Sequence, residues 1–189
     1  MNISHTGFDN LLVFEPKIIE DSRGYFFESF RENFFKQNLP NINFCQENES
    51  KSKFGVLRGL HYQLAPFSQS KLVRVISGSV LDVVVDMRKE LSTFGKYFSI
   101  ILSSKNKKQL FIPKGFAHGF LVLSDQAIFS YKVDNYYNED MERGIAYDDK
   151  ILNIDWQLKK ELIKLSEKDS NLPSFKDSEY YINSKKLYD

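Results

Sequence analysis

Short apolar runs separated by turn-forming residues dominate the chain. Residues 10–19 (NLLVFEPKII) are apolar and β-prone and predict an N-terminal strand, followed by a turn at Asp21-Ser22-Arg23-Gly24. Residues 25–30 (YFFESF) predict a second strand that sets Glu28 among aromatics, and residues 31–38 predict one or two helical turns, ended by Leu39-Pro40. Residues 43–52 read as extended, with Gln46, Glu47 and Asn48 consecutive: an edge, a loop or a lined cavity. Residues 72–76 and 80–85, joined by Ser77-Gly78-Ser79, predict a hairpin. In its second arm Leu81, Val83 and Val85 share one face, while Asp82, Val84 and Asp86 share the other. A strand over 97–102, a polar turn over 103–108, a strand over 110–112 and a second hairpin (120–123 with 128–133, turned at Ser124-Asp125) follow.

Beyond that hairpin, residues 134–143 are loop-like, a short helical piece is expected over 161–165, and the last twenty residues read as a surface-hugging tail. Many short strands without a long amphipathic helix, a repeat or a linker predict an all-β sandwich or barrel. The expected organisation is a single domain over 1–189, with a C-terminal tail from about residue 174.

Composition changes this picture little. The 17 Phe and 10 Tyr suit strands, and a formal charge of +1 gives no global field to attract nucleic acid or a membrane surface. Cys45 is the only cysteine, so no disulfide can form within the chain. No basic-then-apolar leader opens the sequence and no apolar run approaches a membrane span, so a soluble cytoplasmic protein is expected.

One stretch stands apart. Residues 55–74 (GVLRGLHYQLAPFSQSKLVR) place Arg58, His61, Lys71 and Arg74 on two apolar, strand-like segments. Burying such charges costs several kcal/mol each, roughly, unless an anion or acid pairs with them. The stretch is therefore a solvated sheet face or a cationic pocket containing a base.

Of the three histidines, His5 lies near a terminus. His61 follows Gly55, and His118 falls in Pro-x-Gly-x-x-His; these spacings match the two halves of the cupin signature, a double-sheet jelly roll. A metal-binding cupin would carry His-x-His and a nearby Glu, whereas this chain has His61-Tyr62-Gln63. No metal site is expected, and a metal-dependent oxygenase is disfavoured. Without a metal, His61 suits a general base, with Asp82 or Asp169 to fix its tautomer; spacing does not choose between them. Lys71 and Arg58 suit an oxyanion or a phosphate, and Tyr131 a proton donor.

Taken together, Arg23-Gly24 with Phe26 and Glu28, Gln46-Glu47-Asn48, Val56-Leu57-Arg58-Gly59-Leu60-His61, Lys71-Leu72-Val73-Arg74, residues 113–120 (PKGFAHGF), Tyr131-Lys132 and Leu165-Ser166-Glu167-Lys168-Asp169 resemble the dTDP-4-dehydrorhamnose 3,5-epimerase family. The resemblance runs from about Leu12 to Pro173. It implies a cupin-like jelly roll with a few short helices and an isomerase that needs no cofactor. The substrate it implies is a dTDP-4-keto-6-deoxy sugar, inverted at carbons 3 and 5 through an enolate. It assigns His61 as base, oriented by Asp169, Lys71 to the enolate oxygen, and Tyr131 as the acid at carbon 5. Arg23, Glu28, Gln46, Glu47, Asn48, Arg58, His118, Glu142 and Lys168 are placed around the substrate, with Phe26 and Tyr137 as aromatics that stack on the base or cover the sugar. A homodimer with exchanged N-terminal strands is also implied, with Arg23 reaching the neighbouring site. Glu47 stands where an Asp is common, and Tyr147-Asp148-Asp149 departs from a more usual aromatic-Asn-Asp pattern. A mono-epimerase on a related nucleotide sugar and a non-catalytic sugar-nucleotide-binding jelly roll are the alternatives.

Overall fold

The computed structural model describes residues 1–188. Two open sheets pack face to face. One is six-stranded, in the order β1 (Asn2–His5), β2 (Leu12–Glu15), β10 (Gln109–Ile112), β7 (Lys71–Ser77), β12 (Gln126–Val133) and β5 (Gln46–Lys53). The other is five-stranded, in the order β13 (Glu142–Gly144), β6 (Leu57–Gln63), β11 (Phe116–Val122), β8 (Ser79–Asp86) and β9 (Tyr97–Ser103). A separate two-stranded hairpin pairs β3 (Ile19–Asp21) with β4 (Gly24–Phe26). This is the expected double-sheet jelly roll.

Side-chain alternation builds three apolar layers. Between the sheets, Val73, Val75, Leu110, Ile112 and Phe129 meet Val80, Val84, Leu102, Phe116, Phe120 and Val122. Phe120 and Phe129 stack across this interface with centroids 4.2 Å apart. Fully burying one such side chain stabilises the fold by roughly 1.5–3 kcal/mol. Behind the five-stranded sheet, Leu81, Val83 and Val85 lie under Leu152, Trp156, Tyr181 and Leu187. Behind the six-stranded sheet, Leu12, Phe14, Leu72 and Phe111 are covered by Phe35 and Leu39 with Ile42, mostly from α1 (Glu32–Asn38) and the turn after it. The predicted split of β8 into an apolar face and an Asp82/Val84 face is therefore the split between the outer layer and the interior.

The two expected hairpins fail for one reason. β7 and β8 are not a hairpin: β7 pairs with β10 and β12, whereas β8 pairs with β11 and β9. Gly78 is a corner that hands the chain from one sheet to the other. Its φ is +82°, and a Cβ there would stand 2.1 Å from the Gln126 carbonyl oxygen. β11 and β12 likewise belong to different sheets, with Ser124 at the corner donating its hydroxyl to Gln126 O at 2.7 Å. A corner and a hairpin turn share the same glycine- and serine-rich chemistry; only the partner of each strand distinguishes them. The expected strand over 10–19 divides at Pro16 into β2 and β3, and the one over 25–30 shortens to β4. The helical piece expected over 161–165 is a 3₁₀ turn at Lys160–Leu162, followed by α2 (Glu167–Ser170). The C-terminal segment, expected to hug the surface, packs on the outer layer, where Tyr181 and Leu187 are buried.

Candidate active site

Near one end of the sandwich the interior becomes polar. A cleft of about 320 Å³ opens there, in the size range of small-molecule sites. Arg58 and His61 come from β6, His118 from β11, Lys71 from β7, Tyr131 from β12, and Lys168 and Asp169 from α2; Phe120 and Phe129 line the apolar part. A contiguous recess adds Gln46, Asn48, Gln63, Tyr137 and Glu142, and it shares His61, Lys71 and Tyr131 with the first.

The register of the strands explains these neighbours. His61 and His118 sit opposite each other in the β6–β11 pair, and the register slips between His118 and Phe120. The strands approach closely at Gly59, where a Cβ would lie 2.6 Å from Gly119 Cα and 2.7 Å from His118 O. Gly59 has φ +122°, a conformation that side chains resist. On the facing sheet Val133 pairs with Lys71 and Tyr131 with Val73, so Lys71 and Tyr131 project into the same space. α2 is brought in because Lys164 donates its N–H to Gly55 O at 2.8 Å and accepts from Leu57 N at 3.0 Å, beside the start of β6. Ser166 caps α2, accepting the Asp169 N–H at 3.1 Å.

The structure makes two imidazole–carboxylate pairs. His61 Nε2 lies 2.6 Å from Asp169 Oδ1, and His118 Nε2 lies 3.0 Å from Asp82 Oδ2. The choice that spacing left open is thus made by tertiary contact: Asp169 serves His61 and Asp82 serves His118. Burial pushes the Asp169 carboxyl up, but the hydrogen bond and charge of His61 and the Ser166 contact outweigh it and hold it below its usual range. Burial, reinforced by Lys71 and His61, lowers His118 and favours its neutral ring, against the opposing pull of Asp82. Burial also drives Lys71 down to about 8, although Asp82 and Glu142 favour its charge. Tyr131 is raised by burial, with Asn48 and Arg58 pulling the other way and Glu142 pushing with burial.

Further out, Arg58 Nε donates to Ser52 Oγ at 3.1 Å and Gln46 Nε2 to Asn48 Oδ1 at 2.8 Å. Lys168 pairs with Glu142, whose Oε2 also accepts the Tyr137 hydroxyl at 2.6 Å. Among the described residues no three His, Cys, Asp or Glu side chains converge into a set that could hold a metal ion.

Four anticipated residues lie elsewhere. Arg23 and Phe26 stand on the β3–β4 hairpin, where Arg23 pairs with Asp21 at 2.6 Å and Phe26 is 68% exposed. Glu28 pairs with Arg31 at 3.3 Å. Glu47 points to the opposite side of β5 from Gln46 and Asn48; it accepts from Ser130 Oγ at 2.9 Å and pairs with Lys132 at 2.6 Å on the outer face of the sheet. The alternation of β5 separates it from its neighbours, so its carboxylate does not line this cleft. Conversely, Phe120, quoted only as the end of the 113–120 motif, and Phe129 line the site without having been named as site residues. Nothing local distinguishes them from other core phenylalanines.

A jelly roll whose two sheets present a carboxylate-paired imidazole, an ammonium and a phenol to one cleft is laid out for proton transfer at carbon, as in a carbohydrate epimerase. Residues 5–177 match the family model described as dTDP-4-dehydrorhamnose 3,5-epimerase. The chain is 51% identical over 183 residues to the dTDP-4-dehydrorhamnose 3,5-epimerase of Shigella flexneri, covering 96% of this chain and all of that one. It is 47% identical to the Escherichia coli protein of the same name, covering 91% of this chain and 93% of that one. It is also similar to the crystal structure of the dTDP-6-deoxy-D-glucose-3,5-epimerase of Legionella pneumophila in complex with dTDP-4-keto-L-rhamnose, with a TM-score of 0.91 and 45% identity over 96% of this chain and 98% of that one. The chain belongs to the dTDP-4-dehydrorhamnose 3,5-epimerase family.

Proposed function

We propose that this protein converts dTDP-4-dehydro-6-deoxy-D-glucose to dTDP-4-dehydro-L-rhamnose, a step towards dTDP-L-rhamnose. The observation that carries the reading is the disposition of base and acid. His61, paired with Asp169, projects from the five-stranded sheet, and Tyr131 projects from the facing six-stranded sheet. Inverting a carbon centre requires removal of a proton from one face and delivery to the other. In this scheme His61 takes the proton at carbon 3 or carbon 5. The C–H electron pair becomes the carbon–carbon double bond of the enolate, and the 4-keto oxygen becomes an oxyanion beside Lys71. Collapse of the enolate takes a proton on the opposite face, from Tyr131 at carbon 5, which leaves the phenolate. His61 then releases its proton to solvent and the Tyr131 phenolate takes one back, so that base and acid return to their starting states. Asp169 holds the imidazole and stabilises its protonated form.

Arg58 and Lys168 supply cations for the pyrophosphate, and Gln46, Asn48, His118, Tyr137 and Glu142 complete the wall around the sugar nucleotide. Arg23, Phe26 and Glu28 are assigned to substrate held by a second copy of the chain. The exposed hairpin, whose residues line neither the cleft nor its recess, supports a homodimer that exchanges N-terminal strands. Glu47 is carried in this scheme as a support for Ser130 and Lys132 on the back of the sheet. No helix of the described residues is long and apolar enough to cross a membrane. The lone Cys45 and the nucleotide-sugar substrate support a cytoplasmic enzyme.

The test is proton exchange. With dTDP-4-dehydro-6-deoxyglucose in deuterated water, deuterium enters carbons 3 and 5 and this exchange is lost in His61→Asn; exchange at only one carbon makes the protein a mono-epimerase. The shared site has its own test. An Arg23→Ala and a His61→Asn variant, each impaired alone, regain activity when mixed and allowed to exchange protomers; failure to do so, or sedimentation as a monomer, removes the dimer.

A further inference from the structure

Two loops wall the outer recess of the cleft: residues 64–70 after β6 and residues 134–141 after β12. They are stitched together. Gln69 Nε2 donates to Asn135 O at 2.8 Å, Asn135 Nδ2 donates to Pro66 O at 2.9 Å, and the Ser70 N–H donates to Asp134 Oδ1 at 2.6 Å. At the centre of the stitching is Gln63, the last residue of β6 and two positions beyond His61, with 5% of its surface exposed. Its Nε2 donates to Phe67 O at 2.6 Å and to Tyr136 O at 3.2 Å, and its Oε1 accepts the Asn138 N–H at 2.7 Å. One buried carboxamide therefore grips the backbone on both sides of Tyr137. The ring between those grips is exposed, and its hydroxyl is tied to Glu142, which faces Gln63 across the β13–β6 register.

We propose that Gln63 is a positioning residue for substrate binding: it clamps the chain on either side of Tyr137 and so holds that ring at the mouth of the cleft, against the bound sugar nucleotide. The inference rests on the reading that Tyr137 contacts the substrate. A loop ordered in advance by such a clamp does not have to be ordered when the ligand arrives, and the clamp thereby raises affinity without touching the reacting carbons. A buried amide that served packing alone would have no reason to act through one exposed aromatic ring.

The test is a double-mutant cycle in steady-state kinetics, using dTDP-4-dehydro-6-deoxyglucose with Gln63→Met, Tyr137→Ala and the double variant. Gln63→Met should raise KM about tenfold, kcat should stay within about threefold, and in the Tyr137→Ala background the same change should add less than about twofold. An unchanged KM in Gln63→Met, with Tyr137→Ala raising it, overturns the clamp and leaves the Tyr137 reading intact. An unchanged KM in Tyr137→Ala overturns the Tyr137 reading and the clamp with it. Equal effects of Gln63→Met in both backgrounds also overturn the clamp, because the residue would then act through general packing. Gln63→Glu, which keeps the acceptor for Asn138 and loses both donors, repeats the cycle if Gln63→Met does not give a native circular dichroism spectrum.

Discussion

Asp169 Oδ1 stands 2.6 Å from His61 Nε2 although 108 positions separate them in the chain. The contact joins a capped four-residue helix to β6, and it holds the imidazole at the cleft by a charge-assisted hydrogen bond. Asp169→Asn keeps the shape and removes the charge. Its kcat should fall by about 100- to 10,000-fold, the scale of a misoriented general base. A stopped assay of dTDP-4-dehydro-L-rhamnose formation reads this directly, and a loss of less than tenfold would separate Asp169 from the function of His61.

Lys71 places an ammonium between the two sheets, where the enolate oxygen is expected. Lys71→Ala should cost roughly 100- to 1,000-fold in kcat, the usual scale for losing one oxyanion donor. Deuterium exchange at carbons 3 and 5 should slow in parallel, since both pass through the same enolate. Slowing at one carbon alone would show that Lys71 serves only that step.

The same residue gives a pH dependence whose sign is determined. Burial lowers Lys71 from 10.5 to about 8, so its charge is lost as pH rises through that value. The kcat/KM profile, which reports the free enzyme, should therefore fall above about pH 8, and Lys71→Arg should move this limb upward. Stability moves in the opposite direction. Between about 8 and 10.5 the unfolded chain binds more protons at this residue than the native chain. The penalty of burying the cation is thus fully present below about 8 and disappears as pH rises through the unfolded value. Urea midpoints of the parent and Lys71→Met proteins across this range check the sign: the advantage of Lys71→Met should shrink as pH rises.

Tyr131→Phe removes the acid and leaves the base. His61 should still exchange the proton at carbon 5 but return it to the face it came from, so deuterium enters with retention. Formation of the L-configured product should fall by about 100-fold or more. NMR of the sugar ring distinguishes retention from inversion, and an unchanged rate of inversion would move the acid to another residue.

Gly59→Ala tests how the two histidines come to be adjacent. The added methyl would stand 2.6 Å from Gly119 Cα in a backbone of φ +122°, so β6 and β11 would have to separate. A loss of more than about 2 kcal/mol in stability is expected, measured by chemical unfolding. Activity at a temperature where the variant stays folded should fall as well, because the same displacement parts His61 from Asp169.

Much of this protein is determined locally and was therefore legible in the sequence. Alternation along β8 separated Leu81, Val83 and Val85 from Asp82 and Val84, and the structure keeps that separation because a side-chain period of two is a property of any extended strand. The residue types of residues 55–74 left two readings, a solvated sheet face or a cationic pocket with a base; the structure brings Arg58, His61 and Lys71 to the cleft and leaves Arg74 beside Glu47 and Lys132. The tertiary structure decided which strands are partners. It made corners of Gly78 and Ser124, whose turn chemistry equally suits hairpins, because sheet membership depends on pairing with strands far away in sequence. It gave Asp169 to His61 and Asp82 to His118, a choice that spacing cannot make when a carboxylate arrives from a distant helix. It also turned Glu47 to the back of β5, away from Gln46 and Asn48, since three consecutive polar residues on a strand cannot all face one cleft.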